Sequence, residues 1–255
     1  MEPLSACIIS FNEEDRIEAC IQSLHFCDEI LVLDSNSTDR TRDIASRLGA
    51  RVETQTFLGH RRQKQRAAEL ASHDWILSLD CDETVTPALA EEIQRHRQQG
   101  LGSTAAFSMP RRNIYLGRKM RHGFFWPDRK TRWFDRRQAR WGGTDPHDRV
   151  ELNADATVTQ LSEELLHNSF RSLADAQDTN WKFALIAAKA LAEEGRRAGP
   201  WTPWIRSIAV FAKCMGLKLA FLDGWRGVLA AWLSARHNYW KYRELRSLQP
   251  RIPRL

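Results

Sequence analysis

The chain has 255 residues, of which 42% are hydrophobic and 27% charged, and its formal net charge is +6 with a pI near 9.3. This composition excludes a disordered or low-complexity chain, and the length allows one large domain or a domain with an appendage. The five cysteines form no C-x-x-C pair, which argues against a disulfide framework or a zinc site and favours a reducing cytosol.

The sequence also bears on targeting segments and on the partners that its net charge permits. The first residues lack a basic region before an apolar segment, so no secretory signal is predicted. No run of about 18 uncharged apolar residues occurs, so no spanning helix is predicted. The basic balance permits an acidic partner, which could be nucleic acid, anionic lipid or a phosphorylated sugar, and does not choose among them.

Strand and helix patterns alternate through the first 80 residues. Short apolar runs bounded by polar residues predict buried strands at 4–11, 29–33, 51–55 and 75–79. Helical spacing of apolar residues, or a good helix-forming composition, predicts helices at 17–24, 41–48 and 61–71. Four such alternations predict a doubly wound parallel sheet with right-handed crossovers.

Carboxylates follow three of the four predicted strands. They are Glu13, Glu14, Asp34, Asp39, Asp80 and Asp82. Ligands bind at this edge of an open α/β sheet, and carboxylates gathered there repel one another unless cations or donors lie among them. Two aspartates one residue apart can also hold a hard divalent cation that bridges to substrate phosphates. No glycine-rich phosphate loop follows the first strand, so the pattern favours a nucleotide held by carboxylates and a metal.

A purely structural interpretation of these carboxylates stays open. Asp34 and Asp39 can form an Asx-type turn and a helix cap, with Asp39 capping the helix that begins near Thr41. The polar run after the fourth strand can lead into a helix capped by Thr84 or Thr86.

Two later regions have distinct compositions. Residues 111–140 interleave arginines with aromatic side chains, which suits an anionic sugar acceptor, single-stranded nucleic acid, or a solvated basic face beside core aromatics. From residue 173 onward, helical patterns at 175–194, at 201–215 and after 224 carry tryptophans and basic residues. Such helices either lie in a membrane interface or pack on the domain.

Six motifs occur in a fixed order along the chain. They are Ile8 to Glu14, Val32 to Asp39, Leu79 to Glu83, Phe124 to Asp128, His147-Asp148, and His167 to Leu173. In this order and spacing the chain resembles the family 2 inverting glycosyltransferases, and more narrowly the bacterial lipopolysaccharide core β-1,4-glucosyltransferases. The family usually has Glu at the position of Asp148. The resemblance implies the nucleotide-diphospho-sugar transferase (GT-A type) fold, an α/β mixed sheet, at 1–172. The tryptophans and basic residues of the later helical patterns predict an amphipathic, membrane-associating helical extension at 173–255.

The resemblance also implies roles for particular residues. Asp34 would bind the base and Asp80 the ribose, while Ser10, Asn12 and Glu13 line the nucleotide pocket. Asp82 would hold Mg²⁺ or Mn²⁺ at the diphosphate, with His167 at the metal site or in a local hydrogen-bond network. The base that deprotonates the acceptor would be Asp148, with Asp145 second and His147 as its orienting neighbour.

The expected activity is metal-assisted transfer of a hexose, glucose from UDP-glucose, to the lipopolysaccharide inner core. The expected place is the cytoplasmic face of the inner membrane, by peripheral attachment, with no nucleic-acid partner. Two alternatives remain at this point: a basic nucleic-acid-binding module, and a nucleotidyltransferase on the same fold.

Overall fold

The computed structural model describes residues 1–144, 147–170 and 172–249, with only the backbone described for Thr144 and His147. The described residues form two compact units. The first unit takes in 1–112 and 128–167, and the second takes in 113–127 and the residues from 168 onward.

The first unit begins with parallel strands separated by helices. These elements are β1 (Leu4–Ser10), α1 (Ile17–Gln22), β2 (Glu29–Asp34), α2 (Thr41–Arg47), β3 (Arg51–Thr54), α3 (His60–Leu70) and β4 (Trp75–Asp80). The strands run parallel in the order β3-β2-β1-β4. The predicted alternation of strands and helices is therefore confirmed for this half of the sheet. The register places Ser10 beside Asp34 and Ile9 beside Asp80, so the carboxyl ends of β1, β2 and β4 lie together.

Antiparallel strands complete the sheet. The remaining elements of the first unit are β5 (Glu83–Val85), α4 (Pro87–Gln99), β6 (Thr104–Tyr115, whose last residues enter the second unit), β8 (Arg129–Asp135), β9 (Ala139–Thr144), β10 (His147–Leu152), β11 (Thr157–Gln160) and β12 (Leu165–His167). The short strand β7 (Arg118–Lys119) pairs with the end of β6. The described sheet has the order β3-β2-β1-β4-β8-β6-β12-β5, and β8 is antiparallel to both β4 and β6. The sheet is mixed, as the resemblance implied, and is not the all-parallel sheet that the alternation predicted.

Both faces of the central strands are covered, which explains their continuous apolar sequences. Along β1, Leu4, Ala6 and Ile8 belong to one buried cluster and Cys7 belongs to another on the opposite face. The side chains of Phe107 on β6 and Trp133 on β8 stack with ring centroids 3.8 Å apart and add to the first cluster. A strand that is buried on both faces has apolar residues at nearly every position, whereas a strand with one face in solvent alternates apolar and polar residues.

The second unit consists of helices. They are α5 (Leu173–Glu193), α6 (Thr202–Ala212) and α7 (Trp225–Ser247), with a π-helical turn at Lys213–Leu217 and a 3₁₀ turn at Ala220–Asp223 between α6 and α7. Ser172 caps α5 by accepting a hydrogen bond from the Asp175 N–H at 3.1 Å. Among the described helices, none combines the length and apolarity that crossing a bilayer requires.

Residues 113–127 also belong to this helical unit, although the sequence placed them in the first domain. Buried Asp223 accepts hydrogen bonds from the backbone N–H groups of Arg121 and His122, at 2.9 and 2.8 Å. These bonds tie the 113–127 segment to the turn before α7. The segment therefore packs with residues that lie about 100 positions later in the chain.

Candidate active site

Asn12 joins the loops that follow β1 and β2. Its backbone N–H donates to the Ser37 hydroxyl at 2.8 Å, and its side-chain oxygen accepts from the Thr38 N–H at 2.8 Å. Asn12 has a φ of 54°, a left-handed conformation that asparagine tolerates better than most residues. The predicted nucleotide-pocket residue thus fixes the relative position of two loops at the edge of the sheet.

Asp34 is fully buried at the end of β2. Its carboxylate accepts hydrogen bonds from the Ser10 hydroxyl at 2.8 Å, the Ser37 hydroxyl at 2.5 Å and the Ser37 N–H at 2.7 Å. The guanidinium of Arg42 lies 3.8 Å away. Asp34 is thus bonded to serines of its own chain, as in the structural interpretation that the sequence left open. The predicted contact with a nucleotide base requires the Ser37 hydroxyl to turn away from Asp34 first.

Glu13 and Asp39 organise the helices next to this pair of loops. The Glu13 carbonyl accepts the N–H groups of Arg16 and Ile17 at 2.9 Å, where α1 begins, and its own N–H donates to the Thr41 hydroxyl at 2.8 Å. Asp39 accepts from the Thr41 N–H at 3.0 Å, two residues on, so it forms an Asx turn just before α2. Burial raises the pKa of Asp39, but the hydrogen bonds from Thr41 outweigh it and hold that pKa below its usual range.

Asp80, at the end of β4, lies between two buried cations. The Lys64 Nζ is 3.0 Å from one carboxylate oxygen, and the Arg132 Nη2 is 2.7 Å from the other. Burial alone raises the pKa of Asp80, but the charges of Lys64 and Arg132 hold it well below its usual range. Asp80 is therefore ionised throughout the physiological pH range.

Glu83 is the structural centre of this cluster. It is fully buried and accepts hydrogen bonds from the Arg132 Nη2 at 2.6 Å, the Arg111 Nη1 at 3.2 Å and the Asp80 N–H at 3.1 Å. Arg111 also donates to Asp128 at 2.7 Å. Glu83, which had no predicted role, thus fixes the backbone that carries Asp80 and orients the guanidinium that faces it.

Asp82 and His167 meet because β5 pairs with β12, a register that places His167 beside Glu83. The His167 Nε2 lies 3.2 Å from Asp82 Oδ2, and the Arg16 Nη1 lies 3.8 Å from the same oxygen. The other oxygen, Asp82 Oδ1, is buried and has no hydrogen-bond partner among the described residues.

A divalent cation fits this pair of side chains. A buried carboxylate oxygen without a partner is costly, and a bound cation would remove that cost. The described residues contain no group of three or more His, Cys, Asp or Glu that could enclose a metal. Mg²⁺ at a phosphate site is typically held by one or two carboxylates, with substrate oxygens and water completing the shell, and Asp82 supplies one such carboxylate. The geometry therefore suits a metal that is shared with a diphosphate.

Asp148 reaches the same cluster from the β9–β10 hairpin, where it lies opposite Gly143. Its Oδ2 accepts a hydrogen bond from the Lys64 Nζ at 2.8 Å, and its side chain is 11% exposed. The Lys64 Nζ also lies 4.8 Å from the centre of the Trp141 ring. Of the other two candidates for the base role, Asp145 and the side chain of His147 lie outside the described residues.

Two cations of the candidate site, Lys64 and Arg132, were missed from the sequence. Lys64 shares a helix face with Ala67, Ala68 and Ala71, at spacings of three, four and seven residues, and that face is buried. A lysine on the apolar stripe of a helix was the available signal. Arg132 gave a weaker signal because it lies within a run of arginines and aromatic residues.

The comparisons with known proteins decide the family. The sequence profile of Glycosyl transferase family 2 matches residues 5–154. The chain belongs to this family. An uncharacterized glycosyltransferase of Rickettsia felis is 30% identical over 260 residues, which cover 96% of this chain and 90% of the relative. The lipopolysaccharide core biosynthesis glycosyltransferase LpsC of Rhizobium meliloti is 42% identical over 94 residues, 35% of each chain.

Solved structures are also similar to this chain. Glucosyl-3-phosphoglycerate synthase of Mycobacterium tuberculosis, solved with Mn²⁺, UDP and phosphoglyceric acid, has 26% identity over 46% of this chain and 44% of its own, with a TM-score of 0.36. S. aureus TarS has 14% identity over 95% of this chain and 91% of its own, with a TM-score of 0.49. The family 2 glycosyltransferase has a GT-A type fold followed by a helical region.

Proposed function

We propose that this family 2 glycosyltransferase transfers a hexose, glucose from UDP-glucose, to an inner-core sugar of lipopolysaccharide with inversion at the anomeric carbon. The observation that carries the proposal is the buried Asp82 Oδ1 beside His167, which has no hydrogen-bond partner among the described residues and lies at the sheet edge where the pKa of Asp80 is held below its usual range. The partial similarity to LpsC supports the lipopolysaccharide acceptor.

The residues of the first unit divide the work of the reaction. Ser10, Asn12 and Glu13 border the nucleotide, Asp34 recognises its base once Ser37 turns aside, and Asp80 accepts hydrogen bonds from the ribose hydroxyls. Asp82 and His167 would hold Mg²⁺ or Mn²⁺. A divalent cation at this place neutralises the negative charge that develops on the departing diphosphate.

Asp148 is the proposed base. As the acceptor oxygen bonds to the anomeric carbon, the bond from that carbon to the diphosphate breaks and UDP leaves. The acceptor hydroxyl gives its proton to the Asp148 carboxylate, which must lie within hydrogen-bond reach on the side opposite the leaving group. The Lys64 ammonium at 2.8 Å holds this carboxylate beside the donor site before substrates bind.

A thermal-shift panel of nucleotide sugars, with and without Mn²⁺, tests the donor and metal assignments. At a concentration of 100 times its Kd, a donor stabilises the native state by about 2.7 kcal/mol, which raises the Tm of a chain of this size by roughly 5–10 °C. We expect UDP-glucose to give the largest shift. The Mn²⁺-dependent part of the shift should vanish in Asp82→Ala.

Asp178→Ala is the matched control, because Asp178 is an exposed aspartate paired with Lys182 on α5. It should keep the full shift. An equal shift in Asp82→Ala and Asp178→Ala would refute the metal site, and no shift with any nucleotide sugar would refute the donor class. Release of pyrophosphate in place of UDP during turnover would identify a nucleotidyltransferase.

Peripheral attachment of the helical unit to an anionic membrane is part of the proposal, because a lipid-linked acceptor lies there. Trp201, Trp204, Ile205 and Ile208 are all exposed at spacings of three, four and seven residues, so they form one stripe, called here the α6 stripe. Trp201 is 71% exposed, and Leu217 in the following turn is 81% exposed. Contiguous apolar exposure of this size is typical of an interaction surface.

The charge of the same segment favours an anionic lipid surface over an uncharged partner. Between residues 195 and 243 the chain has nine Lys or Arg and one acidic residue, Asp223, whose side chain is buried. Tryptophan and cationic side chains together are what helices lying in a bilayer interface use.

Vesicle co-sedimentation tests the attachment. The wild type should bind phosphatidylglycerol vesicles more tightly than phosphatidylcholine vesicles, and salt should weaken the binding. Ile205→Ser with Ile208→Ser should weaken it by about tenfold or more, because each isoleucine loses part of its burial energy. Val158→Ser, an exposed apolar position on β11, is the control. Equal binding by both variants, or no binding by the wild type, would refute attachment through the α6 stripe.

A further inference from the structure

Lys64 is a single buried cation shared between two carboxylates that have different proposed roles. Its Nζ lies 3.0 Å from Asp80 Oδ1 and 2.8 Å from Asp148 Oδ2, and the residue is 4% exposed. Asp80 belongs to the donor site and Asp148 to the acceptor reaction. One ammonium group therefore connects the two halves of the proposed transfer.

The two carboxylates depend on Lys64 to different degrees. Asp80 also pairs with the Arg132 guanidinium at 2.7 Å, so it keeps a cation if Lys64 moves. Among the described residues Lys64 is the only salt-bridge partner of Asp148. Departure of the ammonium would therefore leave Asp148 as an unpaired carboxylate in a mostly buried place. The Asp148 oxygen that the ammonium occupies would then be open to another hydrogen-bond donor.

We propose that Lys64 couples donor binding to activation of Asp148. In the free protein the ammonium pairs with Asp148 and occupies its Oδ2 atom. When a nucleotide sugar binds, its diphosphate attracts the ammonium, which leaves Asp148 free to take the proton of the acceptor hydroxyl. This inference rests on the proposed function, since it requires a diphosphate beside Asp80.

The chemistry of the lysine side chain suits such a shift. An ammonium group is a compact charge on a flexible four-carbon stem, so it can turn from one anion to another without breaking a bidentate geometry. A diphosphate offers more negative charge than one carboxylate, and the attraction is strong where water is largely excluded. The same movement would place a positive charge near the phosphate oxygens that leave with UDP.

The test is a double-mutant cycle on UDP affinity, measured by calorimetry with Mn²⁺ on the full chain. The four proteins are the wild type, Asp148→Asn, Lys64→Met and the double variant. Asp148 competes with UDP for Lys64, so Asp148→Asn should tighten UDP binding by about fivefold or more, and Lys64→Met should weaken it. In the Lys64→Met background, Asp148→Asn should change the affinity by less than about twofold.

Direct repulsion between Asp148 and the diphosphate predicts the opposite pattern. Without the ammonium that repulsion is unscreened, so Asp148→Asn would tighten UDP binding at least as much in the Lys64→Met background as in the wild type. That result overturns the coupling. Asp155→Asn, at an exposed turn after β10, controls for the loss of one negative charge and should leave the affinity unchanged.

Two further outcomes are decisive. If Lys64→Met does not fold, Asp148→Asn still tests the proposal, because unchanged UDP affinity in that variant overturns it. If the wild type binds no UDP in the presence of Mn²⁺ while its fold is intact by circular dichroism, the donor assignment fails and the coupling fails with it. Binding by the wild type without the expected cycle refutes the coupling alone.

Discussion

Replacing Glu83 by glutamine removes the negative charge that pairs with Arg132 and Arg111. Glu83 is fully buried, with Arg132 at 2.6 Å and Arg111 at 3.2 Å. Removing one partner of a buried ion pair costs about 3–5 kcal/mol, because the other charge stays buried without compensation. Arg132 keeps Asp80 and Arg111 keeps Asp128, so we expect the lower end, about 3 kcal/mol. For a chain of this size that corresponds to a Tm lowered by roughly 6–12 °C.

Thermal and urea unfolding of Glu83→Gln measure this loss. Glu69→Gln is the matched control, because Glu69 is half exposed and pairs with Arg66 at 3.5 Å on the surface of α3. Exposed pairs of this kind contribute about 0–1 kcal/mol. If Glu83→Gln lowers the stability by no more than Glu69→Gln, the buried pairs do not hold the site together and the reasoning is wrong.

Two other stability predictions follow from single residues. Burial raises the pKa of Glu29, but hydrogen bonds from Ser5, Ser72 and Arg51 lower it to about 2 from 4.5. Because the folded pKa lies below the unfolded one, the stabilisation is present above pH 4.5 and is lost as the pH falls through 2. Urea unfolding should show Glu29→Gln less stable by about 1–2 kcal/mol at pH 7, since solvent screens part of the effect, with a difference that shrinks below about pH 4.5; a pH-independent difference would contradict this. A Cβ on Gly227 would lie 1.8 Å from the Ala220 carbonyl oxygen, so Gly227→Ala should destabilise the helical unit by about 3 kcal/mol. Gly216→Ala, where nothing lies within 4 Å, should change stability by less than about 1 kcal/mol in the same thermal scan, and equal effects would refute the steric argument.

The sequence predicted the first half of the fold because burial and hydrophobicity coincide there. Strands β1, β2 and β4 lie between two apolar clusters, so nearly every position is apolar. On β8, burial and hydrophobicity do not coincide. Arg132 is as buried as its neighbours Trp133 and Phe134, since it is paired with Asp80 and Glu83. Because Arg132 is charged, the sequence of this central strand is also compatible with a basic surface segment.

The carboxylates of the site were predictable, and their partners were not. Strand ends placed Asp80 and Asp82 at one edge, and motif order placed Asp148 and His167 among the candidates. Which cations stabilise them depends on tertiary contacts: Lys64 arrives from a helix and Arg132 from an antiparallel strand. The expectation that cations lie among these carboxylates was correct, although the sequence did not identify them.

The choice of arginine or lysine at each position in this cluster is consistent with what each side chain must do. Arg132 and Arg111 are fixed by Glu83, and planar guanidinium groups suit pairs that keep one geometry. Among the described residues Lys64 contacts both Asp80 and Asp148, the proposed donor-side and acceptor-side carboxylates, and an ammonium suits a charge that changes partner. Since Lys64 and Arg132 are buried, Arg111 is partly buried and all three are directed at carboxylates, they offer little to an extended polyanion such as nucleic acid, which is bound through accessible phosphate contacts. A short diphosphate that enters with its own divalent cation can exchange with these carboxylates one contact at a time, which favours a nucleotide sugar as the ligand of this site.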